Sequence, residues 1–235
     1  MPLAIGRDEN GRPLWLDLAA APNILLAGCT KQGKSVAMNA MIASLMLLEG
    51  QEEVKSIFID PKRAEPAVWA GTAGSRYAGG ESEANAELDR LTVELDSRLS
   101  GLAGDPRRKY PKIVVFVDEY ADLMDYGSKK TAAFRNIVGL SKAGNAVGIH
   151  MVISTNRVSR EVITKEIKEN FPMRMGFRMF EKRDSIVVLD RTGAERLDGN
   201  GDMLLLRGPD VERVQGTFLS TDECRAIADD FKANE

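Results

Sequence analysis

The sequence predicts an α/β fold with a mainly parallel central sheet flanked by helices, and three observations carry that prediction. The apolar run Asn23-Ile24-Leu25-Leu26-Ala27 leads into a glycine-bounded loop and then a stretch of helical character at 36–48. Short apolar runs recur at 54–59, 113–117, 148–154 and 174–178, separated by longer segments. The run Ile113-Val114-Val115-Phe116-Val117 has no polar alternation, as expected of a parallel strand buried on both faces.

Taken in order, Leu3-Ala4-Ile5 and Leu14-Trp15-Leu16 flank Glu9-Asn10-Gly11-Arg12, and the Asn-Gly pair marks an opening hairpin. A strand at 23–27 and a helix at 36–48 follow, then a strand at 54–59 that ends at Asp60-Pro61-Lys62. Ala84, Leu88, Leu91 and Leu95 recur at helical spacing within 81–99. The charged, Gly- and Pro-containing segment 101–112 reads as a loop. Strands at 113–117, 148–154 and 174–178 come next, and 202–206 with 213–218 read as a closing hairpin. Ser220 and Glu223 have capping-box spacing at the start of a last helix.

A length of 235 residues, 43% hydrophobic and 29% charged, suits one α/β domain over 1–235. The longest strongly apolar stretch, 38–48, is broken by Asn39 and Ser44 and is too short to span a bilayer. The N-terminus lacks a charged leader and cleavage signal, so the expected location is the cytoplasm. Cys29 and Cys224 read as reduced thiols. A net charge of −3 gives no global nucleic-acid signal, so any such contact must come from local patches. His150 and the methionines at 38–46 are expected to be packing residues, and Trp15 and Trp69 core or interface aromatics.

Chemistry enters at Gly28-Cys29-Thr30-Lys31-Gln32-Gly33-Lys34-Ser35, a full G-x-x-x-x-G-K-S between strand and helix. In that context the main-chain N–H groups from Gly28 to Val36 would cradle the phosphates of a nucleoside triphosphate. Lys34 would reach the β- and γ-phosphates, and the Ser35 hydroxyl would ligate Mg²⁺. The strand at 113–117 ends in Asp118-Glu119, a Walker B pattern. Asp118 would hold the metal and Glu119 would polarise the attacking water. Read alone, the two acids also suit the cap of a following helix. Val152-Ile153-Ser154-Thr155-Asn156-Arg157 places polar residues at the carboxyl end of a strand, where open α/β sheets bind ligands.

With these pieces in place, 3–218 resembles the RecA-like β-type motor domain of FtsK/SpoIIIE DNA translocases, within the wider FtsK–HerA group of P-loop ATPases. The matching blocks include Leu3-Ala4-Ile5-Gly6-Arg7-Asp8, Ile59-Asp60-Pro61-Lys62, Val117-Asp118-Glu119-Tyr120-Ala121-Asp122-Leu123-Met124, Gly148-Ile149-His150, Gly193-Ala194-Glu195 and Gly201-Asp202-Met203-Leu204. The resemblance implies ATP and Mg²⁺ as cofactors, with Lys34, Glu119 and Asn156 as catalytic residues, Asn156 sensing the γ-phosphate. It implies a homo-oligomeric ring, six-membered in the family, that pumps double-stranded DNA without strong sequence preference, with a possible accessory loading or anchoring protein. The family's pore-loop segments correspond here to Lys129, Lys130 and Arg135, then Arg157, Arg160, Lys165 and Lys168, which are the expected DNA contacts. Set beside the family's full-length arrangement, residues 1–235 are expected to hold the motor domain alone, with no α domain, γ domain or transmembrane segment among them.

The chain departs from the family pattern at several positions: Lys31-Gln32 replace Gly-Ser, Asn156 replaces Gln and Val158 replaces Pro. Asn145 and Ile186 stand where the family has a basic residue and an Arg, leaving Arg174, Arg178 and Arg183 as substitutes for an interface arginine. Two other readings stay open, a protein-translocating secretion-type ATPase and a weakly hydrolysing, nucleotide-gated scaffold.

Overall fold

The structure is a computed structural model that describes residues 1–50, 52–63, 66–124 and 131–232. The chain opens with β1 (Pro2–Asp8) and β2 (Pro13–Asp17), then β3 (Asn23–Ala27), α1 (Lys34–Leu48), β4 (Val54–Asp60) and β5 (Ser75–Gly79). It continues through α2 (Glu81–Gly104), β6 (Lys112–Val117), α3 (Ala132–Ala143), β7 (Ile149–Thr155), α4 (Lys165–Asn170), β8 (Met173–Phe177) and α5 (Lys182–Leu189). It closes with β9 (Asp202–Arg207), β10 (Asp210–Gly216) and α6 (Thr221–Asp230). Among the described residues these strands make one ten-stranded sheet, ordered β2-β1-β10-β9-β8-β3-β7-β6-β4-β5.

From β8 to β5 every pairing is parallel, whereas β9, β10, β1 and β2 are added antiparallel. The two expected hairpins are therefore one continuous extension of the parallel sheet, because β1 pairs with β10 and β9 with β8. Asp8 shapes the first turn by accepting the N–H groups of Asn10 at 2.9 Å and Arg12 at 2.8 Å. Those hydrogen bonds hold its carboxyl below the usual range against the opposing effect of burial.

Strand side chains alternate between two buried layers. Leu25, Ile57, Ile59, Val115, Val117 and Ile153 pack with Leu88, Leu91 and Leu95 of α2 and Phe134, Ile137 and Leu140 of α3. Ile24, Leu26, Phe58, Val114, Phe116 and Val152 pack with Met38 and Met41 of α1 and Cys224 and Ala228 of α6. This double burial explains why the parallel strands read as unbroken apolar runs.

The structure corrects several boundaries. Helix α2 runs to Gly104, three residues past Gly101, which the sequence placed in a loop. Gly101 is accommodated because Tyr110 lies over it; a Cβ there would sit 2.1 Å from the Tyr110 hydroxyl oxygen, and that hydroxyl donates to Arg98 O at 3.2 Å. The closing hairpin turns at Gly208-Pro209, so β10 begins at Asp210 and ends before Phe218, which is exposed. Strand β5 and helices α4 and α5 lack apolar runs long enough to have been read from sequence. Trp69 is fully buried in the core and its Nε1 donates to Asn39 Oδ1 at 2.9 Å, whereas Trp15 is half exposed and lies outside the core. Both cysteines are free thiols, and Ser220 with Glu223 forms the expected capping box.

His150 is buried in β7, and burial together with the charge of Lys112 pushes its pKa down to about 4. It stays neutral in the fold where the unfolded chain takes up a proton near pH 6.5. Protons then favour unfolding, so this stabilisation is complete above about pH 6.5 and lost as pH falls towards 4, by up to about 3 kcal/mol. Urea unfolding at pH 7 and pH 4.5 should show His150→Leu losing less stability than the unsubstituted protein across that interval.

Candidate functional site

The carboxyl ends of β3, β4, β6 and β7 lie together at one edge of the parallel sheet, and the motif residues leave the sheet there. The glycine-bounded loop turns between β3 and α1 with Gly33 at φ 105°, and Lys31 is left-handed at φ 59°. Cys29 N–H donates to Arg178 O at 3.0 Å, so the end of β8 fixes the loop's first turn. Gln32 O accepts Gly201 N–H at 3.0 Å, so the loop also rests on the turn before β9. A Cβ on Gly33 would lie 2.7 Å from Gly201 Cα and N, which is why this position requires glycine.

Lys34 is buried, and its Nζ donates to the loop's own Gly28 O and Cys29 O, each at 2.8 Å. Burial lowers its pKa, opposed by the nearby Glu119 and Asp118 carboxylates. Burial also raises the Cys29 thiol, so this cysteine is a protonated, weakly reactive group. Ser35 and Val36 follow in the first turn of α1 and line, with Lys31, Gly33, Asn200 and Phe218, a cleft of about 280 Å³.

On the opposite side of the loop, Asp118 and Glu119 follow β6 directly. Ser154 Oγ donates to Asp118 Oδ1 at 2.6 Å and accepts Glu119 N–H at 3.1 Å. Glu119 adopts left-handed φ 47°, ψ 59° and is buried. Its Oε1 accepts Thr155 Oγ1–H at 2.7 Å and its Oε2 accepts Asn156 N–H at 2.8 Å. Burial raises the Glu119 carboxyl above its ordinary range, although those two hydrogen bonds oppose the rise. Asn156 thus reaches Glu119 through its main chain, and the side-chain hydroxyls that meet the two acids belong to Ser154 and Thr155, which the sequence marked only as polar residues at the end of this strand. The signal was available in the spacing: a parallel partner strand ending in two hydroxyls, one and two register steps beyond its last apolar residue, Ile153.

Hard oxygen donors on Ser35 and Asp118 suit Mg²⁺, which uses one or two protein oxygens alongside phosphate. Among the described residues no cluster of three or more His, Cys, Asp or Glu could hold a metal by itself.

The basic residues fall into distinct settings. Arg135 on α3 and Arg160 after β7 are exposed. Arg157 pairs with Asp122 at 3.6 Å, and Asp122 also pairs with Lys62 at 2.7 Å, which ties together segments after β4, β6 and β7. Lys165 is exposed and 3.5 Å from Glu169, whereas Lys168 is mostly buried against Asp190. Lys129 and Lys130 lie outside the described residues. Of the arginines considered for an interface role, Arg174 is tied to Val188 O and Asp190, Arg178 lies beside its own phosphate loop, and Arg183 is exposed on α5.

The FtsK/SpoIIIE family model matches residues 1–98. The DNA translocase FtsK of Pasteurella multocida is 34% identical over 276 residues, a match that covers 99% of this chain. The chain thus matches the FtsK/SpoIIIE family over its first 98 residues and is similar to DNA translocases FtsK along nearly its whole length. It covers 29% of the Pasteurella protein and spans about a third of the length of the first relatives it matches. The fold is shared with the pCW3 conjugation coupling protein TcpA in complex with ATPγS, at TM-score 0.83 and 23% identity over 97% of this chain and 70% of that one. It is also shared with the cytoplasmic domain of the Type VII secretion ATPase EccC of Thermomonospora curvata, at TM-score 0.84 and 21% identity over 99% and 31%. The expected P-loop ATPase fold is thus the one observed.

Gly33→Ala should lower the melting temperature by several degrees, since it adds a Cβ at positive φ against the Gly201 backbone. Gly104→Ala, with open space at its Cβ, should leave it unchanged. Thermal denaturation of the two variants side by side checks the pair.

Proposed function

We propose that this chain is an ATP-hydrolysing motor that assembles as a ring, with six subunits, and translocates double-stranded DNA without strong sequence specificity. One observation carries the reading: a P-loop lysine faces an Asp-Glu pair on the same sheet edge, in a chain that matches DNA translocases along nearly its whole length. In this reading Lys34 and the loop N–H groups from Gly28 to Val36 hold the phosphates. Ser35 and Asp118 hold Mg²⁺, which neutralises charge on the triphosphate. Glu119 accepts the proton of the attacking water, a task suited to a carboxyl whose proton affinity is raised by burial. The base lies in the cleft beside Lys31, and Phe218 at its rim offers an exposed aromatic face for stacking.

Arg135, Arg157, Arg160 and Lys165 supply phosphate contacts that carry no sequence information, with Lys129, Lys130 and Lys168 on the same two segments. The ring, the cytoplasmic setting and any loading or anchoring partner belong to this proposal too. No helix among the described residues is long and apolar enough to cross a membrane. A protein-translocating ATPase is the second reading, supported by the fold shared with EccC. A nucleotide-gated scaffold that hydrolyses little is the third.

Steady-state ATP hydrolysis, measured with and without long double-stranded DNA across protein concentration and with Lys34→Ala as blank, separates these readings. A motor on DNA should be stimulated by it, more steeply as rings form, and the stimulation should fade with salt. Stimulation by peptide alone would support secretion, and a flat rate in the assembled protein would support the scaffold. Glu119→Gln should keep nucleotide binding while hydrolysis falls about a hundredfold or more. Phe218→Ala should weaken ATP binding about threefold to tenfold and leave binding of inorganic tripolyphosphate unchanged, as read by competition against a fluorescent nucleotide.

A further inference from the structure

We propose that Ser154 and Thr155 are positioning residues with divided roles: Ser154 orients Asp118 for metal, and Thr155 orients Glu119 for water activation. The inference rests on the ATPase reading above and adds two residues to it.

The geometry comes from register. Val117 of β6 lies opposite Ile153 of β7 in parallel pairing, so the next two steps bring 118 to 154 and 119 to 155. Each acid then meets one hydroxyl. Ser154 Oγ donates to Asp118 Oδ1 at 2.6 Å, which leaves Oδ2 as the oxygen this hydroxyl does not engage. The same Oγ accepts Glu119 N–H at 3.1 Å, at the point where the chain turns into its left-handed conformation. A non-glycine residue holds such a conformation only when its surroundings impose it. Ser154 therefore fixes both the first carboxylate and the main-chain turn that aims the second.

Thr155 is fully buried and has no route to solvent for its hydroxyl. Its Oγ1 accepts Arg157 N–H at 3.0 Å, which directs its own proton outward to Glu119 Oε1 at 2.7 Å. With Asn156 N–H on Oε2, the carboxylate is gripped at both oxygens by two consecutive residues. Residues 155–157 also begin the basic segment, and Arg157 is tied through Asp122 to Lys62 after β4. The orientation of Glu119 is thus set by the same short stretch that would meet DNA phosphates.

Three variants test the assignment: Thr155→Val, which keeps the shape and removes the hydroxyl, Thr155→Ser, which restores it, and Ser154→Ala. Thr155→Val should lower kcat about tenfold to a hundredfold, with the affinity for a fluorescent ATP analogue within about twofold of the parent. Thr155→Ser should recover most of that loss. Ser154→Ala should instead raise the Mg²⁺ concentration needed for half-maximal binding of the analogue, a readout independent of turnover, and Thr155→Val should not. Circular dichroism melts confirm that each variant is folded, and Thr155→Ser carries the test of the threonine if the valine variant unfolds: a near-parental kcat supports the role, and a loss as deep as that of Glu119→Gln overturns it. The proposal is overturned if folded Thr155→Val turns over at the parental rate, if serine fails to rescue it, or if Ser154→Ala leaves the Mg²⁺ requirement unmoved. An unsubstituted protein that binds the analogue and does not hydrolyse ATP, alone or with DNA, overturns the ATPase reading itself and is told apart by that control.

Discussion

Parallel strands bond through evenly spaced, slanted hydrogen bonds, and in this sheet that ladder holds Leu25, Val117 and Ile153 abreast. A slip of one residue would turn every apolar side chain of a strand to the wrong layer. Both layers are filled, one by α2 and α3 and the other by α1 and α6, so no slipped register is tolerated. The core therefore determines the site. Once Val117 and Ile153 are level, the acids and hydroxyls beyond them have no choice of partner.

That constraint also explains how two buried charges are kept. Lys34 and Glu119 sit on the same sheet edge, and each is disfavoured by burial and favoured by the other's charge. Lys34 donates to two carbonyls of its own loop, and Glu119 accepts from Thr155 and Asn156 at the end of the neighbouring strand. A buried charge satisfied by fixed main-chain groups and a buried hydroxyl is held in place with little reorganisation, which is the condition for acting on a phosphate or a water.

The antiparallel extension has a role in the site as well. Strands β9, β10 and β1 continue the sheet past β8, and the turn before β9 brings Asn200 and Gly201 against the phosphate loop. Close approach of the two backbones demands glycine at Gly33, where a Cβ would meet Gly201, while Gly201 itself has a positive φ of 91° that favours glycine. The chain end of the same extension carries Phe218 to the rim of the cleft. What reads in sequence as a separate hairpin is the second wall of the nucleotide cleft.

The sequence by itself determined the fold class, the phosphate loop and the Asp118-Glu119 pair, because each is written in contiguous residues. An apolar strand, a glycine-bounded turn and a strand-end acid pair are local patterns, and local patterns survive without knowledge of neighbours. Strand β5 was missed because Ser75-Arg76-Tyr77-Ala78-Gly79 is an edge strand with little apolar character, held by pairing with β4. The end of α2 was misplaced because Gly101 stops a helix on propensity alone, and only the ring of Tyr110 packed over it shows why it does not. The hydrogen bonds of Ser154 and Thr155 to the two acids, the ion cluster of Lys62, Asp122 and Arg157, and the cleft under Phe218 all depend on strands far apart in the chain. Those were decided by tertiary structure, since only a fixed register between distant strands says which side chains meet.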